Sequence, residues 1–337
     1  MRKTSNIREI AAETGYSVAT VSRVMNGSSA VSGKARAVVL EAARVHGYRP
    51  NAAARALVTK RSRIIGAVVP TLAHSIFSSF LDEIERVLAD RDFSLVIAIS
   101  NNDPEVELKR ARDLVAMGAE ALVVSGADHL DAFDGLIAAA GIPSIHTSIW
   151  DETGDNDRAM IGYDNAALAR DALDYLAGAG HRRVAVLHGP SARNDRTRAR
   201  LAGIRAATHE TMTVQTFECP LDAEGGVATT RAALAGDLDP TAFLCLSDVV
   251  ALGVLFELPR QGRRVPNDVS VMGFDNLEWS AVSSPPLTTV ALPTEAMGRA
   301  TADVLADHLD RGMPIPSQCL PGTIVKRGSV APPDGRG

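Results

Sequence analysis

From Ile64 onward the chain repeats one pattern: a short unbroken apolar run, a turn, then a stretch with helical spacing. "IIGAVV" (64–69), "SLVIAI" (94–99), "ALVV" (121–124) and "IPSIHT" (142–147) form a first set. "VAVLHG" (184–189), "AFLCLS" (242–247) and "VSVMGF" (269–274) form a second. The intervening helices are predicted over about 76–91, 104–117 and 130–140, then from Asp164 and from near Asn194, Ala223 and Asp248. Uninterrupted apolar strands are covered on both faces, which is the signature of parallel sheets. Their alternation with helices predicts doubly wound α/β layers. Two sets of about 100–130 residues read as two lobes with a cleft between them.

The first 63 residues do not share this pattern. They hold twelve Lys or Arg against three acids, Glu9, Glu13 and Glu41, a net of +9. The whole chain carries −5, so the remainder carries −14. A basic head on an acidic body suits a nucleic-acid-binding unit joined to one that does not touch phosphate.

The head also carries helix punctuation. Asn6 followed by Glu9 makes a capping box, and Gly15 supplies the left-handed stop. Ser17 then caps a second helix, "VATVSRVM", with Val21, Val24 and Met25 on one stripe. A third helix is predicted from Ser32 to Gly47 with Ala35, Val38, Val39, Ala42 and Val45 inward. Helix, tight turn and helix is the helix-turn-helix unit. Val18, Ala19 and Thr20 are small enough to approach base edges. Ser17, Ser22, Arg23 and Asn26 suit phosphates. Residues 52–58, after Asn51, form either a plain linker or a short helix that orders when two copies meet on DNA, with Leu57 as a minor-groove wedge.

Composition narrows the alternatives. Three scattered cysteines, Cys219, Cys245 and Cys319, fit neither a disulfide framework nor a zinc site. The amino terminus shows no signal-peptide run and no stretch approaches a membrane span, so the chain is expected in the cytoplasm. Neither a G-x-G-x-x-G nor a P-loop is present. The eight histidines form no HExxH and there is no G-x-S-x-G elbow, which argues against an enzyme. No cofactor or metal is expected. A sugar-binding receptor without DNA contact would share the two-lobed plan but would not need the basic head.

Ligands in open α/β sheets lie beyond the carboxyl ends of the strands. The residues just after the apolar runs are therefore the candidates: His74, Ile76 and Phe77; Thr147 and Ser148; Asn194 to Arg200; Ser247 and Asp248; Phe274, Asp275 and Asn276. Donors, acceptors and an aromatic face suit a small polar metabolite. The dense "RNDRTRAR" segment would suit an anionic one. Phe80, Ile84 and Val87 have a spacing equally consistent with a subunit interface and with core.

Residues 7–57, from "IREIAAETGYSVATVSRVMNG" to "PNAAARAL", resemble the headpiece and hinge of the lactose-repressor (LacI/GalR) family. "GPSARNDRTRARLAGIRAA", "LSDVVALGVL", "VPNDVSVMGFDN" and "PPLTTV" are similar to blocks of the same family, so the likeness spans nearly the whole chain. It implies an all-α helix-turn-helix headpiece on an α/β two-lobed periplasmic-binding-protein-like body with doubly wound parallel sheets. It further implies a homodimeric transcriptional repressor bound to palindromic operator DNA, whose affinity is changed by a small-molecule effector such as a sugar or sugar acid. The DNA contacts implied are Asn6, Ser17, Val18, Ala19, Thr20, Ser22, Arg23, Asn26, Asn51, Arg55 and Leu57. The effector contacts are His74, Ile76, Phe77, Ser148, Asn194, Arg196, Arg200, Ser247, Phe274 and Asp275, with Arg200 and Asp275 matching the family's principal ones. Ser247 stands where asparagine is frequent, Ser148 where aspartate is frequent, and Val58 where a basic residue is found. The expected segments are 1–50 (headpiece), 51–63 (hinge and linker), 64–162 plus about 292–322 (first lobe), 163–291 plus about 323–330 (second lobe) and 331–337 (disordered tail). The tail has no leucine heptad, which favours dimer over tetramer.

Overall fold

The computed structural model describes residues 6–25, 30–48, 56, 59, 61–73, 76–151 and 158–333. Contacts divide it into two compact units, 1–63 and 64–337. In the first, helix α1 (Ile7–Thr14) starts at Asn6, whose side chain accepts from the backbone N–H of Arg8 and Glu9 while Glu9 reaches back. It stops at Gly15, at φ +70°. Helix α2 (Val18–Met25) begins where the Ser17 hydroxyl accepts from the Thr20 N–H at 3.1 Å. Helix α3 (Gly33–Val45) is capped by Ser32. Ile10, Val21, Val24 and Val39 close the small core, with Ala11 and Ala42. Val38 and Val45 do not join them, because α3 turns its Ala35–Val39–Ala42–Ala43 stripe inward and leaves both valines exposed. Of the expected hinge helix only Ala56 is among the described residues; Asn51, Arg55 and Leu57 lie outside them, as do Asn26 and His74.

The second unit contains two six-stranded sheets. The first is built from β1 (Ile64–Val69), β2 (Ser94–Ile99), β3 (Ala121–Ser125), β4 (Ser144–Thr147), β5 (Ala159–Gly162) and β11 (Gln318–Cys319), in the order β11-β5-β4-β3-β1-β2. All of its pairings are parallel. The second uses β6 (Arg183–His188), β7 (Thr213–Glu218), β8 (Ala242–Cys245), β9 (Ser270–Asp275), β10 (Thr288–Ala291) and β12 (Thr323–Val325), ordered β12-β10-β9-β8-β6-β7. Only the edge pair β10–β12 is antiparallel. The chain passes between the sheets after β5, after β10 and after β11, so three crossings tether the lobes.

Helices cover both faces. On one side α4 (Ile76–Ala89) and α11 (Thr294–Arg311) pair over the first sheet, and α7 (Asn165–Gly178) and α8 (Asp195–Ala207) over the second. On the other side lie α5 (Pro104–Ala116) and α6 (Asp131–Ala140), then α9 (Ala223–Ala235) and α10 (Asp248–Arg260). Phe80, Ile84 and Val87 are core: they are buried in the layer that α4 shares with α11. The end of the chain is more ordered than its composition predicts. Ala331 exchanges two hydrogen bonds with the Ser270 hydroxyl, and Pro333 lies against Gly180, so residues 331–333 are held on the second lobe. Residues 334–337 are outside the described set. No helix among the described residues is long and apolar enough to cross a membrane.

Candidate functional site

Two surfaces collect the expected residues. On the head, burying Val21 and Val24 leaves the opposite side of α2 outward: Val18 is 43% exposed, and Ser17, Ala19 and Arg23 are exposed too. Thr20 and Ser22 are half-buried. Two of the polar candidates already have local work, since Asn6 closes the cap of α1 and Ser17 that of α2. A cap side chain is fixed in place, so it holds its helix N-terminus at a defined angle.

In the body, a cavity of about 120 Å³ lies between the carboxyl ends of the two sheets. Ile76, Phe77, Asn194, Arg196, Arg200, Ser247 and Asp275 all line it. Arg200 is 9% exposed and its guanidinium carbon lies over the Phe274 ring, 4.0 Å from its centroid. It donates Nε–H to Asn165 Oδ1 and an Nη1–H to the Leu246 carbonyl, both at 2.9 Å. The ring contact and two hydrogen bonds fix the guanidinium in place. Phe274 itself is fully buried and acts as the platform. Asp275, at the end of β9, accepts from the Ser247 hydroxyl at 3.1 Å. Burial raises its carboxyl to about 7, and nearby Asp248 pushes the same way, while Arg200 and Ser247 oppose.

Sequence spacing misplaces several neighbours. Asp248 is fully buried under the site, not in it. It accepts from the Leu277 N–H and from the Ser280 and Thr289 hydroxyls, and so anchors β9 and β10 from below. Ser148, at φ +63°, is buried and does not line the cavity. Thr147 is turned to the Val124 carbonyl. Tyr163, Asn102, Thr71 and Leu221 line the cavity unexpectedly. Tyr163 follows "AMIG", an apolar run too short to stand out as a strand, and is fully buried.

The arginine-rich segment is the largest correction. Arg193 pairs with Asp103 at 3.2 Å, Arg198 with Asp128 at 2.8 Å, and Arg196 donates to Asn102 at 3.1 Å. All three partners belong to the other lobe. Arg193 and Arg198 thus have carboxylate partners on the other lobe and Arg196 has Asp195 beside it, which weakens the sequence argument for an anionic ligand.

Residues 6–51 match the family described as "Bacterial regulatory proteins, lacI family", and residues 173–330 match "Periplasmic binding protein-like domain". The HTH-type transcriptional regulator CelR of Thermobifida fusca is 30% identical over 91% of this chain and 93% of its own. The HTH-type transcriptional regulator MalR of Streptomyces coelicolor is also 30% identical, over 99% of both. The chain belongs to the LacI family. It is a DNA-binding transcriptional regulator, and its LacI-family relatives are regulators rather than enzymes. The structure of the Lac repressor dimer bound to operator and the anti-inducer ONPF superposes with a TM-score of 0.85, at 29% identity, covering 98% of this chain and 100% of that one. That likeness extends across the head and both lobes of this LacI-family chain.

Proposed function

We propose that the protein is a homodimeric repressor that reads a palindromic operator through α2, and that a small sugar-like metabolite in the interlobe cavity changes its operator affinity. One observation carries the ligand reading: Arg200, held over Phe274, and Asp275, joined to Ser247, line one cavity together. A fixed donor array beside a carboxylate complements a molecule with vicinal hydroxyls, which both give and accept hydrogen bonds. The Asp275 carboxyl, raised by burial to about 7, offsets part of the Arg200 charge, and the other cavity-lining arginine, Arg196, is tied to Asn102 and Asp195. An uncharged polyhydroxyl compound therefore fits better than a sugar acid. Relatives named as a ribose operon repressor and as a CelR–cellobiose complex agree with this class.

On the DNA side, Val18, Ala19 and Thr20 would meet base edges, and Ser17, Ser22, Arg23 and Asn6 the backbone, with Asn26, Asn51, Arg55 and Leu57 as further contacts. The Lac repressor structure, a dimer on its operator, supports pairing two heads on two half-sites.

The test is operator selection from a random duplex pool with the full-length protein, followed by anisotropy titration at several salt concentrations. A palindromic site with Kd of about 10⁻⁸ M or tighter and a steep loss of affinity with salt is expected. Thermal shifts against ribose, glucose, cellobiose, gluconate and hypoxanthine then test the ligand class. Gluconate stabilising the protein while neutral sugars do not would reverse the uncharged-ligand reading. No salt-sensitive preference for any duplex would end the operator reading.

A further inference from the structure

The groups that join the two lobes beside the cavity form one continuous seam. Its half-buried centre is Asp195, at the start of α8. One carboxylate oxygen, Oδ2, accepts the Ala127 N–H of the first lobe at 2.6 Å. The other, Oδ1, takes an Arg196 Nη1–H at 3.1 Å, and Arg196 uses Nη2 to reach Asn102 of the first lobe. The exposed pairs Arg193–Asp103 and Arg198–Asp128 flank this centre. Gly126 makes the approach feasible: at φ +86° it brings no Cβ, and one built there would stand 2.3 Å from Arg196 Nη1.

The first-lobe half is braced from behind. His129 is buried, holds Glu107 through Nδ1 at 2.5 Å, places Nε2 3.1 Å from the Gly126 carbonyl and stacks on Phe133. That fixes the 126–129 turn that receives Asp195. None of these residues lies on the three chain crossings, so the seam is a second, non-covalent tie between the lobes.

We propose that this seam is a latch which ties the two lobes together beside the cavity, so that a metabolite reaches the cavity only after the latch opens. Arg196 is its central positioning residue, because it touches Asp195 on one lobe and Asn102 on the other. The flanking pairs are solvent-exposed and so are weak and salt-sensitive. The centre is more shielded, its Arg196 and Asp195 side chains being 10% and 12% exposed, so salt screens it less.

Amide exchange of full-length, ligand-free protein tests this without reference to operator or effector, so its outcome is separable from the functional reading above. The Ala127 amide is expected to be protected at low salt. Arg196→Met, which leaves the Asp195–Ala127 bond chemically intact, should speed its exchange at least tenfold while the α4 and α11 amides stay protected. The double variant Asp103→Ala/Asp128→Ala, made on the other lobe, should give a smaller acceleration that 0.5 M salt reproduces in the parent. Rapid exchange at Ala127 in the parent would overturn the latch. So would unchanged protection in Arg196→Met with normal folding. If that variant does not fold, Asn102→Ala, which removes the first-lobe partner of Arg196, decides instead, and parental protection in it refutes the proposal.

Discussion

At the scale of single residues, Asp275 carries a charge state that its local sequence does not announce. Its carboxyl titrates near 7 in the native protein against an ordinary 3.8, because burial disfavours the ionised form. Between pH 4 and 7 the native state therefore holds a proton that the unfolded chain has lost, and this group's contribution to stability falls as pH rises through that window. His146 and His181, lowered by burial to about 3 and about 4, contribute the opposite slope between about 4 and 6.5. A difference between two proteins isolates the aspartate. The unfolding midpoint of Asp275→Asn relative to the parent should rise by about 5 °C between pH 5 and pH 8. A difference that stays flat with pH would mean that Asp275 ionises as an ordinary surface acid. Arg200 and Asp275 both stand in the cleft, as their positions after apolar runs predict. Asp248, two positions into "LSDVV", is expected beside them and is instead their buried support. Both aspartates follow an apolar run, and only packing decides which one faces the cavity.

At the scale of elements, the strongest regularities are those written in short-range chemistry. The caps at Asn6, Ser32, Asp164 and Asn194 fall where side chains that accept a backbone N–H precede an apolar stripe. What such signals do not convey is how closely two elements approach. Helices α9 and α10 meet through Gly226 and Gly253: a Cβ at Gly253 would lie 2.1 Å from the Ala223 carbonyl, and one at Gly226 2.3 Å from the Val250 carbonyl. Both obstacles are backbone, so a methyl group there must push the helices apart. Gly253→Ala should destabilise the body by about 2–4 kcal/mol, as overpacking of a well-filled core does. Chemical denaturation measures it, and a loss below about 0.5 kcal/mol would show that the helix pair yields freely.

At the scale of the molecule, the head and body are separate compact units, each with its own apolar core. A chain starting at Ile64 should consequently unfold with the same midpoint as the body transition of the full protein and keep its response to stabilising metabolites, while losing all DNA binding. Calorimetry with and without the head tests this, and a body that melts several degrees lower would show that the head contributes to its stability. The headpiece and the two α/β lobes are legible in the residue pattern itself. The helical stripes, the capping residues and the unbroken apolar strands each depend on neighbours within a few residues. The β5 and β7 strands do not stand out in the same way, because "AMIG" is short and "TVQTFE" is a half-exposed edge.

Amino-acid order alone determined the basic head, its three caps and turns, the parallel α/β body and about half of the residues that line the cavity, because each follows from local periodicity, charge or turn chemistry. Tertiary structure decided which charges remain for a ligand. Arg193, Arg196 and Arg198 look like an anion site when read in a line, and Asp103, Asn102 and Asp128 lie 70 to 94 residues away in the chain. Coulomb attraction and hydrogen bonding act over a few ångströms of space regardless of that separation. The first-lobe partners of these arginines, the carboxylates of Asp103 and Asp128 and the amide of Asn102, are therefore fixed only when the two lobes fold against each other.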